Sequence, residues 1–341
     1  MKSKTKQFGL IEKKPFGLEK FKFTSTFKSK DASKIKAKTL YFAICGSDYI
    51  HSTAETFNPR FIGHEWVGIT KDGEIITTEV FWGCGKCDWC KKGMDRCCHF
   101  KEVFSMGEAG GASLLNVSLP IRNITRIDPS LTSKYDLWLL TMLEPATVSY
   151  SIVEDLQNLT SNFDKHEHIL IIGGGFTGLV MGYLLKSLSL KVKFCEKVPS
   201  RKSNLVKLGF QIAENDESEF DIVIDAAGER PIAGSLAFEE ATNRVRRCGI
   251  VVGSGKYIHP PKVKIEDLQN HGLTVMWPRG GKERTLSKLA IHPPEKLFDL
   301  LDFLKLNSKI IFDIIDFSDL PLFYTSKNQV PNTLRTIIRC I

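Results

Sequence analysis

The stretch His168-Ile-Leu-Ile-Ile-Gly-Gly-Gly-Phe-Thr-Gly178 says more about the fold than any other part of this 341-residue chain. A short apolar run ends at Gly173, and residues 178–188 follow with apolar side chains at helical spacing. A strand, a G-x-G-x-x-G turn and a helix in this order are typical of a dinucleotide-binding unit. Gly173 permits the tight turn, Gly175 lets the backbone approach a pyrophosphate, and Gly178 lets helix and strand pack closely.

The residues around this turn indicate which cofactor it binds. The amino terminus of the helix, with Phe176 and Thr177 just before it, offers free N–H groups and a positive dipole end to phosphates. Glu196 lies about twenty residues on, where an acid takes the ribose hydroxyls and repels a 2′-phosphate, which favours NAD. Arg201 and two lysines lie just beyond and could accommodate NADP, so both cofactors stay open. A glycine-rich turn without a nucleotide is the weaker alternative, because both flanking elements fit.

The pattern of predicted secondary structure changes near residue 137. Short strands punctuated by Gly, Pro, Asn and Asp come first, which predicts a small barrel. Strands that alternate with helices follow, which predicts a parallel, doubly wound sheet. The predicted strands are 21–27, 36–43, 66–70, 74–81, 113–118, 168–172, 191–196, 221–225, 249–252 and 273–277. The predicted helical segments are 137–143, 146–156, 178–188, 232–245 and 294–306, before a short mixed tail.

Composition and length exclude several classes of protein. The apolar share of 42% and the charged share of 25% are ordinary for a globular enzyme, and 341 residues suggest two domains. No apolar run approaches the roughly 20 residues that span a bilayer. The basic segment from Met1 to Lys6 is not followed by the apolar stretch of a signal peptide. We therefore expect a cytoplasmic protein that does not bind membranes.

The net charge of +8 comes from the amino-terminal arm, since the first 38 residues hold twelve lysines and three acids. Such an arm could bind nucleic acid. However, Lys20-Phe-Lys-Phe23 alternates like a half-exposed strand, and the arm has no arginine to fork to phosphates. We expect a solvated sheet face and no nucleic-acid partner.

Five of the nine cysteines lie between Cys84 and Cys98. The pattern Cys84-x2-Cys87-x2-Cys90-x7-Cys98 places four thiolates in one short loop, which suits a tetrahedral zinc ion. A polar loop of this kind offers no core in which unligated cysteines could be buried. We expect a closed structural zinc site; Cys97 could replace Cys98 as the fourth ligand.

Three further motifs narrow the interpretation: Ala43-Ile-Cys-Gly-Ser-Asp48, Gly63-His-Glu65 and Leu143-Glu-Pro145. With the cysteine loop and the glycine-rich turn, the chain resembles the medium-chain dehydrogenase/reductase superfamily and its zinc-containing alcohol dehydrogenase family. The triplet Leu143-Glu-Pro145 resembles the polyol/sorbitol, threonine and glucose dehydrogenase-like branch, where an acid replaces the third cysteine ligand. The resemblance covers nearly the whole chain, with its motifs in the family's order.

The resemblance implies a fold and a domain organisation. We expect a GroES-like small β-barrel catalytic domain and a Rossmann domain with a doubly wound parallel sheet. The expected ranges are 1–145 for the zinc-binding catalytic domain, 146–279 for the dinucleotide-binding domain, and 280–341 for a segment that returns to the catalytic domain. A homodimer or homotetramer is implied in the same way.

The resemblance also implies a catalytic zinc ion held by Cys45, His64, Glu65 and Glu144, with Glu65 or Glu144 reaching it through water. The chemistry is consistent, because one thiolate, one imidazole and carboxylates make a borderline-hard site that still admits a substrate oxygen. Asp48 would orient His64 from behind.

Two residues are expected to move the substrate's proton. Ser47 would hydrogen-bond the substrate hydroxyl and pass its proton outward. Family members often carry a histidine five residues after the cysteine; here that place is Ile50, and His51 comes one residue late. The role of His51 therefore stays open.

These inferences predict a zinc-dependent oxidoreductase with one catalytic and one structural zinc ion. It would transfer a hydride between NAD(P) and a secondary alcohol or ketone on a polyol, sugar or cyclitol-like small molecule. The loop from Tyr49 to Arg60 would select the substrate. The alternative is a non-catalytic, zinc-stabilised nucleotide-binding scaffold or redox sensor, with about one zinc ion per chain.

One departure from the family pattern concerns the barrel. Eighteen residues separate Glu65 from Cys84, fewer than family members usually have. We expect one shortened hairpin, which could open the cleft or alter a subunit contact without touching a proposed ligand.

Overall fold

The computed structural model describes residues 6–13, 17–24, 34–48, 61–105, 110–160, 168–228, 236–257, 259, 261–263, 265–278, 284–325 and 333–341. His51 and the rest of the expected substrate loop, Tyr49 to Arg60, lie outside these residues.

The first part of the chain is built from antiparallel strands. β1 and β2 form a hairpin, β6 pairs with β7, and β3, β4, β5, β8 and β9 share one larger sheet. Within that sheet β3 lies between β4 and β8 in part of its length. The strands are β1 (Lys6–Lys13), β2 (Gly17–Thr24), β3 (Lys34–Ala43), β4 (Glu65–Thr70), β5 (Ile75–Thr78), β6 (Phe81–Trp82), β7 (Glu102–Val103), β8 (Asn116–Pro120) and β9 (Ile124–Arg126).

The second part contains a six-stranded sheet in which every pairing is parallel. Its strands are β10 (His168–Ile172), β11 (Lys191–Cys195), β12 (Gln211–Ile212), β13 (Phe220–Asp225), β14 (Val245–Gly253) and β15 (Thr274–Met276). Their spatial order is β12–β11–β10–β13–β14–β15. The strand order reverses between β10 and β13, and in a doubly wound sheet the ligand crevice opens at such a point.

The carboxyl-terminal tail completes the first sheet. β16 (Phe312–Asp316) pairs in parallel with β17 (Arg335–Arg339), and β17 pairs antiparallel with β3. The main strand path is therefore β16–β17–β3–β4–β5–β9. The sequence pattern predicted only a mixed tail here, because strands this short carry little periodicity of their own.

Helices cover the parallel sheet and connect it to the antiparallel one. They are α1 (Asp88–Lys91), α2 (Pro129–Lys134), α3 (Leu143–Leu159), α4 (Phe176–Ser187), α5 (Pro199–Lys207), α6 (Ala237–Arg244), α7 (Ile265–Asn270), α8 (Thr285–Ile291), α9 (Glu295–Leu306), α10 (Ser308–Ile311) and α11 (Leu320–Thr325). Short 3₁₀ turns occupy Asp95–Cys97, Ala112–Leu114, Ile121–Asn123 and Leu139–Met142. Among the described residues, none of the helices is both long enough and apolar enough to cross a bilayer.

Alternate residues of β10 enter different cores, as the twofold period of a strand requires. Ile169 and Ile171 join a cluster with α3, α4 and α9, and the same cluster includes Ala43 of the antiparallel sheet. Leu170 and Ile172 join a second cluster that packs against α6. The first cluster therefore joins the two sheets by continuous apolar packing.

Three predicted segments differ from the structure in kind or in continuity, whereas others differ only in where they begin or end. The strand predicted at 113–118 begins only at Asn116, because a 3₁₀ turn precedes it and Leu115 has a φ of 62°. The strand predicted at 74–81 is divided into β5 and β6, and the helix predicted at 137–143 is a 3₁₀ turn that runs into α3. Each difference lies where the backbone changes direction, which apolar spacing does not record.

Candidate zinc and dinucleotide sites

The four predicted structural ligands converge in one loop. The sulfur atoms of Cys84, Cys87, Cys90 and Cys98 all lie within 4.8 Å of one another. Cys98 is completely buried, whereas the side chain of Cys97 is exposed and lies outside this group. The geometry therefore selects Cys98 over Cys97 as the fourth donor.

Backbone N–H groups point at these sulfurs. Lys86 N donates to Cys84 Sγ at 3.4 Å, and Cys84 N and Phe100 N donate to Cys98 Sγ at 3.4 and 3.3 Å. Hydrogen bonding from Lys86 N is the main reason why the pKa of the Cys84 thiol falls to about 6. These N–H donors stabilise the thiolate form of Cys84, whereas burial raises the pKa of the Cys90 thiol.

An ion pair that the sequence analysis missed connects this loop to α8. Arg284, at the amino end of α8, donates from Nε and Nη2 to Asp95 Oδ2 at 3.0 and 2.9 Å. Asp95 is buried and lies between the third and fourth cysteines. The two residues are 189 positions apart, so no local pattern could have indicated the contact.

Three of the predicted catalytic ligands meet at the ends of β3 and β4. These strands are antiparallel, and Ala43 lies opposite Glu65 in their register. Cys45, just beyond β3, therefore lies beside His64, just before β4. One donor atom each from Cys45, His64 and Glu65 fall within 4.8 Å of one another.

Gly63 allows the backbone turn that positions His64 just before β4. Its φ of +90° lies in the left-handed region, where a side chain is costly. A Cβ at this position would also lie 2.6 Å from Phe42 Cδ2. Only glycine allows the chain to turn into β4 so close to the buried Phe42 ring.

The ring of His64 has two neighbours on its Nδ1 side. Ser105 Oγ lies 3.2 Å from His64 Nδ1, within hydrogen-bond distance, and Asp48 Oδ1 lies 3.9 Å away. The other oxygen of Asp48 accepts a hydrogen bond from Cys45 N at 2.9 Å. Asp48 thus braces the turn that carries Cys45, and Ser105, unmarked by any motif, is the closer partner of His64.

Glu65 is paired with a residue of the carboxyl-terminal strand. Arg335 Nη2 donates to Glu65 Oε1, and Nη1 donates to the carbonyl oxygen of Ile44 at 3.1 Å. The guanidinium carbon also lies 5.0 Å from the ring centroid of Phe176. Burial raises the pKa of Glu65 well above its usual range, and the charge of Arg335 opposes that shift.

One oxygen of Glu65 has no partner. Glu65 Oε2 is buried and makes no hydrogen bond to any group in the described parts of the chain. A buried carboxylate oxygen without a donor is costly unless a cation lies beside it. This oxygen therefore supports a metal position between Cys45, His64 and Glu65.

The other predicted catalytic residues are distributed around this cluster. Glu144 is half-buried at the start of α3 and falls outside the group of donors within 4.8 Å. Burial raises the pKa of Glu144 to about 7, and the nearby charge of His64 opposes this. Ser47 is half-buried on the turn between Cys45 and Asp48. His51 lies outside the described residues.

The glycine-rich turn has the predicted shape. Gly173 has a φ of +104°, and a Cβ there would lie 2.8 Å from Ala227 N on the neighbouring strand's loop. A Cβ on Gly178 would lie 2.1 Å from the carbonyl oxygen of Gly173, so helix and turn touch backbone to backbone. Gly175 caps α4, which begins at Phe176, two residues earlier than predicted.

The first side chains of α4 face inward. Phe176 is buried beneath Arg335 and packs against Phe312 at 5.9 Å between ring centroids. Thr177 is half-buried, and its carbonyl oxygen accepts a hydrogen bond from Ser149 Oγ at 3.4 Å. Phe176 is therefore able to face a cofactor only through its backbone.

Glu196 stands beside the turn, at the end of β11. Its Oε2 accepts from Gly174 N at 2.7 Å and its Oε1 accepts from Val198 N at 2.8 Å. Arg201 follows in the first turn of α5, half-buried, with a buried Nε that has no hydrogen-bond partner among the described residues. The predicted acid thus lies against the glycine-rich turn, and the predicted arginine follows five residues later in α5.

Comparison with known proteins agrees with this geometry. Residues 31–128 match the sequence model of the family described as "Alcohol dehydrogenase GroES-like domain". The chain is similar to L-galactonate-5-dehydrogenase of Escherichia coli (strain K12), 24% identical over 75% of this chain and 78% of that protein. It is also similar to D-arabinitol dehydrogenase 1 of Uromyces fabae, 23% identical over 68% of this chain and 71% of that protein.

The fold has close counterparts among solved structures. A short chain alcohol dehydrogenase from Escherichia coli CFT073, complexed with NADH, superposes with a TM-score of 0.75. The two share 18% sequence identity, and the match covers 98% of this chain and 99% of the other. At this identity the likeness establishes the fold: a GroES-like barrel joined to a Rossmann sheet, as the sequence predicted.

Proposed function

We propose that this chain, which belongs to the zinc-containing medium-chain alcohol dehydrogenase family, transfers a hydride between a nicotinamide cofactor and a secondary alcohol or ketone. The observation that carries this proposal is the convergence of Cys45, His64 and Glu65 donors within 4.8 Å. A polyol, sugar or cyclitol-like substrate is favoured, since two similar proteins are named for L-galactonate and D-arabinitol.

The donor set fits zinc. A thiolate, an imidazole and a carboxylate are three of the ligand types that zinc accepts, and three protein ligands leave a position for substrate. The unpartnered Oε2 of Glu65 would find its missing partner in the cation. Glu144 would complete the site directly or through water. When bound, zinc supplies a Lewis acid that polarises the alcohol oxygen and lowers its pKa.

The chain's own residues would handle the proton and the geometry. Ser47 shares the turn of Cys45 and would hydrogen-bond the substrate hydroxyl, taking its proton at Oγ. His51 is the candidate to pass this proton outward. Arg335 holds Glu65 in place from the opposite side.

The parallel sheet would hold the cofactor. The free N–H groups at the start of α4 suit a pyrophosphate. Glu196 would accept hydrogen bonds from the ribose hydroxyls, and its negative charge would repel a 2′-phosphate, which favours NAD. Arg201, in the first turn of α5, could compensate such a phosphate, so NADP is the second candidate.

A second zinc ion is proposed for the four cysteines of the 84–98 loop. Its site has four thiolates and no open position, so its role would be structural. The expected assembly, a homodimer or homotetramer, rests on the family resemblance, and the cytoplasmic location remains an expectation from the sequence.

The test combines a metal count with a substrate panel. Wild-type protein should bind about two zinc ions per chain and should reduce NAD in the presence of at least one polyol or sugar alcohol. Cys45→Ser should lose turnover and one zinc ion while the protein stays folded. Cys248→Ser, which changes an exposed thiol in the parallel-sheet region, is the matched control and should behave as wild type.

Two results would contradict the proposal. Full turnover in Cys45→Ser would exclude a role for its thiolate. One zinc ion per chain in the wild type, with no turnover across polyols and ketoses with either cofactor, would favour the scaffold alternative.

A further inference from the structure

Ser105 occupies a position that the recognised motifs do not explain. Its side chain is 2% exposed, and its Oγ lies 3.2 Å from His64 Nδ1. Asp48 is the residue expected to orient His64, but its Oδ1 lies 3.9 Å from His64 Nδ1. The other oxygen of Asp48, Oδ2, accepts a hydrogen bond from Cys45 N. Hydrogen-bond contact with the ring therefore comes from Ser105.

We propose that Ser105 is a positioning residue that holds His64 ready to bind the catalytic metal through Nε2, an inference that rests on the proposed function. An imidazole ligates through an unprotonated nitrogen, and the hydrogen bond made by the other nitrogen selects the tautomer. With a hydroxyl and a carboxylate both on the Nδ1 side, the proton belongs on Nδ1. Ser105 Oγ accepts it, and Nε2 keeps its lone pair for the metal.

The backbone of Ser105 supports a specific need for this hydroxyl. Its φ is +74°, in the left-handed region, where a residue other than glycine is strained. Glycine would relieve that strain but would remove the contact with His64. The buried hydroxyl at this strained position contacts a candidate metal ligand, so we infer that Ser105 does more than fill space in the core.

The neighbouring residue fixes Ser105 in place. Phe104 is fully buried, and its ring lies 5.5 Å from each of the Trp66 and Trp82 rings between centroids. Its backbone N–H also donates to the carbonyl oxygen of Val80 at 2.9 Å. Trp66 lies on β4 two residues after His64, so one aromatic stack connects the segment of Ser105 to the strand that follows the histidine.

The test separates the hydroxyl from the backbone with two variants. Ser105→Gly removes the hydroxyl and relieves the left-handed strain, whereas Ser105→Ala removes the hydroxyl and keeps the strain. Ser113→Ala is the matched control, because it deletes another buried hydroxyl, whose hydrogen bond goes to Leu10 O at 2.8 Å instead of to a candidate ligand.

The first readout is the rate at which zinc leaves the fully loaded protein in the presence of a chelator. One of the two zinc ions should leave faster in both Ser105 variants, because the loss of a partner of a metal-ligating histidine typically weakens metal affinity about ten- to a hundred-fold. Ser113→Ala should release zinc at the wild-type rate. Thermal stability should fall in Ser105→Ala but not in Ser105→Gly, so instability alone could not explain a shared effect.

The second readout does not depend on metal. The nitrogen-15 shifts of the His64 ring in zinc-free protein report its tautomer, which should be Nδ1–H in the wild type and mixed in both Ser105 variants. Wild-type zinc release together with an unchanged tautomer in Ser105→Gly would overturn the proposal. If the wild type showed the Nδ1–H tautomer but bound only the structural zinc, the metal-binding role of Ser105 and the proposed function would both fail. A tautomer dependent on Ser105 with normal zinc release would refute the metal role alone.

Discussion

Arg335 joins three parts of the molecule through one side chain. It neutralises Glu65 at the candidate metal site, caps the carbonyl of Ile44 next to Cys45, and lies over Phe176 at the start of α4. Both members of the ion pair are almost completely buried. At such a position the arginine is needed mainly because its absence would leave a carboxylate without a counter-charge.

We expect Arg335→Met to lower the free energy of unfolding by about 3–5 kcal/mol, the cost of leaving a buried charge unpaired. Urea unfolding monitored by tryptophan fluorescence measures this. Arg339→Met, on the same strand, breaks the exposed pair with Asp316, whose side chains are both 48% exposed, and should cost less than about 1 kcal/mol. Equal losses of unfolding free energy in the two variants would show that the buried pair stabilises the fold no more than the exposed pair.

At the scale of the element, the backbone of the cysteine loop determines which sulfur atoms point into the candidate zinc site. Cys97 and Cys98 are adjacent, yet the 3₁₀ turn Asp95–Cys97 directs one outward and the other into the group of four thiols. Cys98→Ser should therefore lose one zinc ion per chain and lower the melting temperature, because structural zinc binding is coupled to loop folding. Metal analysis and calorimetry measure both effects.

Cys97→Ser is the control for that experiment. It changes the neighbouring thiol without touching the group of four, so zinc content and melting temperature should match the wild type. Loss of zinc from Cys97→Ser with retention in Cys98→Ser would reverse the assignment.

Helix α8 is fastened to the antiparallel sheet by Glu79. Glu79 Oε1 accepts hydrogen bonds from Ser287 N at 2.8 Å and Ser287 Oγ at 3.0 Å. Burial nevertheless raises the pKa of Glu79 above its usual value. The folded protein therefore binds this proton more tightly than the unfolded chain does. As the pH rises from the unfolded pKa of Glu79 to its folded pKa, this carboxyl group lowers the free energy of unfolding.

The expected consequence is a difference in slope. Between the ordinary carboxyl pKa and the raised one, the free energy of unfolding should decline with pH less in Glu79→Gln than in the wild type. Urea titrations at several pH values from about 4 to 7 would measure it, bracketing the ordinary carboxyl range. Glu154→Gln, an exposed change on α3, should keep the wild-type slope. Parallel curves for Glu79→Gln and wild type would contradict the assignment.

At the scale of the whole molecule, the two sheets are joined through one apolar cluster that contains residues of both. A ligand that binds the folded parallel sheet should therefore stabilise the folded chain. We expect NAD at a hundred times its Kd to add about 2.7 kcal/mol, and NADP at the same concentration to add less. Thermal unfolding with each cofactor measures the difference.

Glu196→Ala provides the matched variant for that comparison. Without the carboxylate, the advantage of NAD over NADP should shrink or reverse, since the repulsion of a 2′-phosphate is removed. Glu214→Gln, an exposed acid of the same region, should keep the wild-type preference. An unchanged preference in Glu196→Ala would mean that another group selects the cofactor.

Much of this molecule was predictable because its signals are local. The strand–turn–helix unit at residues 168–188 and the cysteine spacing each lie within one short stretch of chain, and the candidate ligands Cys45 and His64 came from short motifs that resemble the family's. Short spacing constrains geometry directly, since a loop of fifteen residues brings four thiols together at little entropic cost. The bounds of β10 were also predicted correctly, because its short apolar run ends at Gly173, a signal within the strand itself.

The amino-acid sequence alone determined the two-sheet architecture, the cysteine loop, the glycine-rich turn and the set of candidate ligands. Only the tertiary structure decided the partners of those ligands: Arg335 is 270 positions from Glu65, Arg284 is 189 from Asp95, and Ser105 is 41 from His64. The physical reason is that a ligand's identity depends on its own chemistry, whereas its counter-charge and orientation depend on whichever strands the fold brings alongside. Such contacts leave no periodic trace in a single chain, so they become visible only when the folded chain brings distant elements together, as β17 brings Arg335 to Glu65.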